Sequence, residues 1–161
     1  MTRISRPAWL AYGLAIAVVI VDQAAKTAVG ALHLVPGLSL DVWGPLRLTL
    51  VENTGVSFGL FHGEATWTRW GLAGFSLAVA VVLAGWVRRA MRPLTALAVG
   101  LIMGGAVGNL IDRVRYGSVV DFIDVTRLHF PWVFNVGDSA ITVGIVLLLA
   151  ENLLAPRPAP A

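Results

Sequence analysis

Long apolar stretches with very few charged side chains dominate this sequence and constrain its fold more than any motif does. Hydrophobic residues make up 57% of the 161 residues and charged residues only 13%, with a mean hydropathy of +0.79. A soluble domain is about half apolar and about a quarter charged. A chain of this length has too little interior to hide the surplus. We therefore expect lipid as its solvent and exclude a soluble globule.

Four of these stretches are long enough for membrane helices, which take about 20 residues each. The sequence predicts an all-α membrane protein, a four-transmembrane-helix bundle in a single integral membrane domain over residues 1–161. The first stretch could instead be a secretory signal peptide, but three further apolar segments favour a membrane helix. The predicted spans are about 8–29, 70–87, 94–111 and 138–154, with connections at 30–69 and 112–137.

The basic residues predict the orientation of the spans. Each side of the membrane receives six Lys or Arg residues, but one set lies close to span ends, where the positive-inside rule applies. Both termini are therefore expected in the cytoplasm. The net charge of +3 sets this topology and does not indicate nucleic-acid binding. The clustered residues are Arg3, Arg6, Arg88, Arg89, Arg92 and Arg157, and the dispersed ones are Lys26, Arg47, Arg69, Arg113, Arg115 and Arg127.

The first long connection shows the alternation of a half-buried sheet. Apolar and polar residues alternate over 38–42 and again over 46–50, and Gly44-Pro45 between them indicates a turn. We expect a small extracytoplasmic β-sheet on the membrane surface.

Glycines recur at four-residue spacing in the third span, at Gly100, Gly104 and Gly108. This spacing places them on one helix face, where small residues allow close helix packing. The alternative is the ordinary tolerance of membrane helices for glycine.

Two polar groups close to the first span and the first sheet each allow two interpretations. Asp22 and Lys26 lie one helical turn apart, so they form an i,i+4 ion pair or support a site. Asn53-Thr54-Gly55 has the composition of a turn, but the Asn53 amide could also hold an extended ligand.

Further acidic residues lie at the outer end of span three, in the connection that follows it and at the start of span four. Asn109 and Asp112 share a helix face directed into the bundle, although Asp112 and Arg113 could simply pair at the helix end. Asp121 lies in an apolar segment, and Asp138 has the position of a helix N-cap. Two carboxylates in one site can share a proton, so that one activates water while the other donates to a carbonyl oxygen.

Five polar blocks, in this order and spacing, resemble the lipoprotein signal peptidase (signal peptidase II) family, membrane-embedded aspartic peptidases of bacteria. The resemblance covers nearly the whole chain. The blocks are Asp22-Gln23-Ala24-Ala25-Lys26, Asn53-Thr54-Gly55-Val56-Ser57-Phe58, Gly108-Asn109-Leu110-Ile111-Asp112-Arg113, Val119-Val120-Asp121-Phe122 and Phe134-Asn135-Val136-Gly137-Asp138-Ser139.

The resemblance implies that Asp121 and Asp138 are the catalytic pair, and it selects Asp121 over Asp124, which spacing alone does not. It also implies eight positions that bind substrate or support the site. These are Asp22, Lys26, Asn53, Gly55, Asn109, Asp112, Arg113 and Asn135.

The implied substrate is a bacterial prolipoprotein whose cysteine carries diacylglycerol, cut on the N-terminal side of that cysteine. The other implied partner is membrane lipid, with no nucleic acid, and the chain is expected to act as a monomer in the bacterial inner membrane with its site on the extracytoplasmic face. No metal or organic cofactor is expected, because two carboxyl groups and water supply the chemistry. The sequence has no Cys, and His33, His62 and His129 lack ligand spacing.

Two other functions remain as alternatives at this point. A small proton-coupled transporter could use the same carboxylates, but transporter sites lie near the bilayer midplane and these residues lie at span ends. A Ser/Lys peptidase would use Lys26, the only lysine, with one of the candidate nucleophiles Ser57, Ser118 and Ser139.

Overall fold

A computed structural model describes residues 4–35, 38–55, 65–88 and 92–154. It contains four long helices, which are α1 (Arg6–Gly30), α2 (Ala65–Val87), α3 (Pro93–Tyr116) and α4 (Val136–Leu154). All four are long and apolar enough to cross a membrane. The expected four-helix architecture is confirmed, and the helices extend beyond the apolar spans, most clearly where α3 continues through its polar end to Tyr116.

Helix α3 is the centre of the bundle. It packs against α1, α2 and α4, whereas α1 and α2 have little contact with each other. Its glycines permit the close approach to α1, because a Cβ at Gly104 would lie 2.7 Å from the Ala15 carbonyl oxygen and 2.7 Å from the Val18 Cβ. The glycine face predicted from the spacing is thus a packing face.

The outer surface of the bundle is apolar. Large hydrophobic side chains of α1, α2 and α4 point away from the interior and are more than half exposed in the isolated chain. Such a surface suits lipid and not water. Examples are Trp9, Ile16, Phe75, Val82 and Val146.

A four-stranded antiparallel sheet lies beyond one end of the bundle, in the strand order β1-β2-β3-β4. Strands β1 (Ser39–Trp43) and β2 (Leu46–Asn53) form the hairpin expected from the alternation, with Gly44 at φ +54° in its turn. Strands β3 (Val119–Asp124) and β4 (Val133–Phe134) come from the second connection and follow the end of α3. The second pair was not predicted from the sequence.

Some of the residues used in the sequence interpretation lie outside the described residues. They include half of the second polar block, Val56-Ser57-Phe58, together with His62 and the C-terminal tail from 155 to 161. The same holds for Arg3 and Arg89, and Arg157 lies in that tail.

Candidate active site

Asp121 lies in the middle of β3 with its carboxylate turned toward the junction of the sheet and the helices. The side chain is 1% exposed, and both of its oxygens accept hydrogen bonds from amides. Asn53 Nδ2 on β2 donates to Oδ2 at 2.9 Å, and Asn135 Nδ2 donates to Oδ1 at 2.6 Å. Since both donors are side chains of neighbouring elements, the carboxylate is held in one orientation.

The local prediction that Asp138 is the N-cap of the fourth helix is wrong. Helix α4 begins at Val136, so Asn135 takes the capping position and Asp138 lies in the first turn. Asn135 Oδ1 accepts from the Asp138 backbone N–H at 2.9 Å, and Asp138 Oδ2 accepts from the Asn135 N–H at 3.3 Å. This reciprocal pair is a capping box. It fixes Asp138 by backbone contacts at the positive end of a helix dipole.

Asn135 therefore connects the two carboxylates that the resemblance selects. Its side chain is fully buried, donates to Asp121 and accepts from the backbone of Asp138. A second amide completes the bridge, since Asn109 Nδ2 donates to Asp138 Oδ1 at 2.8 Å while its Oδ1 accepts from Asn135 at 3.2 Å. The structure thus brings Asp121, Asp138, Asn109 and Asn135 into one hydrogen-bonded network.

Lys26 supports this network from α1. Its ammonium group contacts Asp22 at 2.7 Å, Asp112 at 2.8 Å and the Asn109 Oδ1 at 3.1 Å. All four side chains are buried, and removal of one member of a buried ion pair costs about 3–5 kcal/mol. The Asp22–Lys26 pair is therefore both the predicted i,i+4 pair and a support of the site. Asp112 pairs with Lys26, not with Arg113, which corrects the helix-end alternative.

Gln23 also belongs to this cluster, a role that the sequence analysis missed. Its Nε2 donates to Asp112 Oδ1 at 2.9 Å and to the Gly108 carbonyl at 3.2 Å. The available signal was an amide next to Asp22 inside an apolar run, on the helix face that carries Lys26. A Cβ at Gly108 would lie 2.5 Å from Asp22 Oδ2, so glycine is required where this cluster meets α3.

The cluster formed by Asp22, Lys26 and Asp112 also contacts the backbone of α4. Asp22 Oδ1 accepts from the Gly137 N–H at 2.9 Å. A Cβ at Gly105 would collide with the Gly137 carbonyl oxygen, so α3 and α4 are in close contact at this point. Helices α1 and α4 therefore contact each other next to Asp138.

The structure confirms the turn at Asn53 and directs the side-chain amide at Asp121. The Asn53 Oδ1 accepts from the Gly55 N–H at 2.8 Å, which forms a turn of the Asx type, and Gly55 has φ +81°. Its Nδ2 is directed at Asp121. Gly55 therefore shapes the turn that holds Asn53 in place.

Arg113 follows Asp112 at the end of α3 and is half-buried. Its Nη1 donates to the Asn109 carbonyl at 3.4 Å. Its positive charge interacts with Asp138 and Asp121. Arg113 is therefore placed as a cation beside the carboxylates without a direct hydrogen bond to either.

Burial controls the ionisation of Asp121. Desolvation raises the pKa of Asp121 to about 6, aided by the neighbouring charge of Asp138 and opposed by the hydrogen bonds from Asn53 and Asn135 and by the charge of Lys26. A carboxyl group with such a pKa can change its protonation state near neutral pH.

Asp124, three residues after Asp121, is separated from the pair by the pleat of β3. Side chains alternate along a strand, so Asp124 points to the opposite face. There it contacts Arg47 at 2.8 Å and is 2% exposed. The structure thus distinguishes the two aspartates that spacing alone does not.

Asp121 lies at the edge of a cavity of about 290 Å³. Asn53 and Thr54 line it from the first connection, and Trp132 and Val133 line it from the second. The cavity therefore lies between the two connections and borders the Asp121 side chain. Within the described residues, no group of three or more His, Cys, Asp or Glu side chains could hold a metal ion.

The geometry does not support a peptidase pair of Ser139 and Lys26. Lys26 donates to three acceptors, so its ammonium group is engaged in structure. The Ser139 hydroxyl donates to the Asn135 carbonyl at 2.9 Å, as a residue in the first turn of a helix commonly does. Ser57 lies outside the described residues.

Comparison with known proteins agrees with this arrangement. A family model described as signal peptidase (SPase) II matches residues 14–154. The lipoprotein signal peptidase of Caulobacter vibrioides is 54% identical over 154 residues, which cover 94% of this chain and 91% of the relative. That of Methylorubrum extorquens is 44% identical over 152 residues, covering 90% and 84% respectively.

Solved structures show the same fold. A bacterial membrane enzyme determined by the in meso method at 2.3 Å resolution matches with a TM-score of 0.74 and 28% identity, over 94% of each chain. A second, determined at 1.9 Å, matches with a TM-score of 0.79 and 28% identity, over 91% of this chain and 94% of that one.

Proposed function

This chain belongs to the signal peptidase II family and is a peptidase of the bacterial membrane, and we propose that Asp121 and Asp138 are its catalytic residues. The observation that carries the proposal is Asn135, whose side chain donates to the Asp121 carboxylate and whose backbone N–H donates to the Asp138 carboxylate. The raised pKa of Asp121 and the cavity beside it support the same assignment.

In the proposed mechanism the pair shares one proton. The ionised carboxylate removes a proton from water as the water oxygen attacks the scissile carbonyl carbon. The protonated partner donates its proton to the carbonyl oxygen, which gives a tetrahedral intermediate. As the C–N bond of this intermediate breaks, the first carboxyl group passes its proton to the leaving amine nitrogen, and the second takes a proton back from a hydroxyl of the new carboxyl group. Asn53, Asn109 and Asn135 keep the carboxylates at fixed positions, while Lys26, Asp22 and Asp112 hold Asn109 and the start of α4.

The proposed substrate is a prolipoprotein with a diacylglyceryl cysteine, cut on the N-terminal side of that cysteine. The apolar surface of the helices allows the acyl chains to stay in lipid while the peptide reaches the sheet. Asn53, Gly55, Arg113 and Asn135 are proposed to act near the substrate main chain. No nucleic acid or cofactor enters this chemistry.

The proposed setting is the bacterial inner membrane, with the whole chain as one membrane domain and a monomer as the active form. Both termini lie in the cytoplasm, and the connections 30–69 and 112–137 lie on the extracytoplasmic side. The density of arginine near the opposite span ends supports this orientation.

The test is cleavage of a purified, diacylglyceryl-modified prolipoprotein, followed by detection of the released signal peptide. Asp121→Asn and Asp138→Asn should each reduce kcat by at least about 10²-fold, the range of general acid–base catalysis. Both variants should remain folded and membrane-inserted. Asp41→Asn removes an exposed carboxylate of the same sheet and should cleave normally. Normal turnover by either active-site variant would rule out the two-aspartate mechanism.

A further inference from the structure

A second buried carboxylate, that of Asp124, lies on the face of the sheet opposite Asp121. It forms a cluster with Arg47, Thr49 and Thr126. Asp124 Oδ2 accepts from Arg47 Nη2 at 2.8 Å and from Thr49 Oγ1 at 2.6 Å, and its Oδ1 accepts from the Thr126 N–H at 2.9 Å. Burial alone would raise the pKa of Asp124, but the hydrogen bonds from Thr49 and Thr126 and the charge of Arg47 lower it to about 2. The carboxylate is therefore ionised at any working pH.

This cluster joins three pieces of backbone. Arg47 and Thr49 belong to β2, and Asp124 ends β3. Thr126 opens the short 3-10 turn that leads toward β4, and its hydroxyl accepts from Arg47 Nη2 at 2.6 Å. Because Asn135 directly follows β4, the cluster ties together the strands that carry Asp121 and lead to its bridging amide.

The pairing of β2 with β3 contains a bulge between this cluster and Asp121. Leu48 is opposite Ile123, whereas Val51 is opposite Asp121, so β2 uses one residue more than β3 over this interval. A bulge interrupts the ladder locally, and a slip of one residue moves every side chain to the other face of a strand. Such a slip would turn Asp121 away from Asn135 and Asp138.

The chemistry of the cluster suggests a role in register more than in stability. A buried ion pair can often be replaced by apolar residues without loss of stability, while its directional contacts specify one arrangement. Arg47 Nε is buried and has no hydrogen-bond partner among the described residues. A buried nitrogen without a hydrogen bond lowers the stability of the protein, so the pair is not optimised for stability.

We propose that Asp124 and Arg47 are positioning residues, which hold β3 in one register across the bulge and so keep Asp121 on the catalytic face. The proposal rests on the proposed function of Asp121. The pair acts from the other side of the sheet, so its loss should affect the chemical step more than substrate binding.

The kinetic test compares Asp124→Asn with Asp41→Asn in the prolipoprotein assay. Asp41 pairs with Arg127 in the same sheet at 3.0 Å, but on the exposed surface, so it is a matched control. Asp124→Asn should lower kcat by at least about 10²-fold, the range of general acid–base catalysis, because a slipped strand removes Asp121 from the catalytic face. Its KM should stay near that of the unaltered chain, and Asp41→Asn should change neither constant.

A triple variant separates register from stability. Arg47→Met, Thr49→Val and Asp124→Leu together remove the charges and leave no buried charge unpaired. We expect this variant to unfold at a temperature close to that of the unaltered chain while its kcat remains low. Unchanged kcat in either folded variant would overturn the proposal, and so would failure of both variants to fold.

The register can also be measured without activity, because the chain contains no cysteine. Leu48→Cys with Ile123→Cys pairs the residues that are opposite in the structure, and Leu48→Cys with Phe122→Cys pairs residues that meet only after a slip. In the presence of Asp124→Asn, oxidative cross-linking should shift from the first pair to the second. Cross-linking restricted to the first pair would overturn the proposal. If the unaltered chain did not cleave the substrate, the proposed function would fail while this measurement still tested the register.

Discussion

Asp121 is buried among neutral amides and lies close to a second carboxylate, so folding favours its protonated form. Desolvation raises the pKa of this carboxyl from 3.8 to about 6. Between these two values the folded chain binds a proton that the unfolded chain does not. The stability that this proton contributes is complete below about pH 4 and is lost as the pH rises through about 6.

We therefore predict that Asp121 makes the unaltered chain less stable as the pH rises from about 5 to about 7.5. Asp121→Asn removes this titration, so its unfolding temperature should fall less over the same interval. The measurement is thermal unfolding in detergent, followed by tryptophan fluorescence.

Asp41→Asn serves as the control for this experiment. It removes an exposed carboxylate of the same sheet that pairs with Arg127 and does not contact Asp121. Its replacement should leave the fall in unfolding temperature between these pH values unchanged. Equal slopes for Asp121→Asn and the unaltered chain would contradict the prediction.

At this scale the sequence predicts which residues belong to the candidate site but not the contacts that they make. The five polar blocks single out Asp121 and Asp138, and the structure places both in one network. The role of Asn135 as the helix cap was not predicted, because Asp138 satisfies the same local rule and Val136-Gly137 does not mark a helix start. The bond from Asn53 to Asp121 joins residues far apart in sequence, which no local pattern reveals.

Among the elements, the contact between α1 and α3 depends on small residues at the interface. Gly104→Ala should weaken it, because the added Cβ would lie 2.7 Å from the Ala15 carbonyl oxygen and from the Val18 Cβ. Overpacking of this kind costs about 1–3 kcal/mol. The expected result is a lower free energy of unfolding, measured by denaturant titration in detergent.

Gly85→Ala is the matched control on α2, where nothing lies within 4 Å of the added atom. Alanine is the better helix former by about 1 kcal/mol, so this variant should be as stable as the unaltered chain or more so. A Gly104→Ala variant as stable as Gly85→Ala would show that the helices separate easily at this point.

The elements differ in how well the sequence predicts them. Apolar length predicts the helices, and alternation with a Gly-Pro turn predicts the hairpin of β1 and β2. Strand β3 carries Asp121 and Asp124 inside an otherwise apolar run, so it does not show the alternation of a half-buried strand. Strand β4 has two residues, and its pairing with β3 is determined by tertiary contacts.

For the whole molecule, the arginine distribution predicts a single orientation that can be measured with introduced cysteines. Asp41→Cys places a thiol on the exposed edge strand, and Arg88→Cys places one at the end of α2. In intact spheroplasts, a membrane-impermeant maleimide should label Cys at position 41 but not at position 88. After lysis both should react.

The chain without introduced cysteines is the control for labelling, since it has no native thiol. Retained prolipoprotein cleavage by each variant would show that the labelled molecules are folded. Labelling of position 88 in intact cells, with position 41 protected, would reverse the proposed topology.

The hydrogen bond from the Gly137 N–H to Asp22 has a consequence for biosynthesis. A ribosome makes α1 before α4, so this contact between the two helices forms only after α4 has been synthesised. The ion cluster of Asp22, Lys26 and Asp112 therefore gains its backbone contact to α4 late in synthesis, and Asp138 enters the membrane with that same helix. Under the proposed two-aspartate mechanism, a nascent chain halted before α4 would lack Asp138 and could not hydrolyse its substrate.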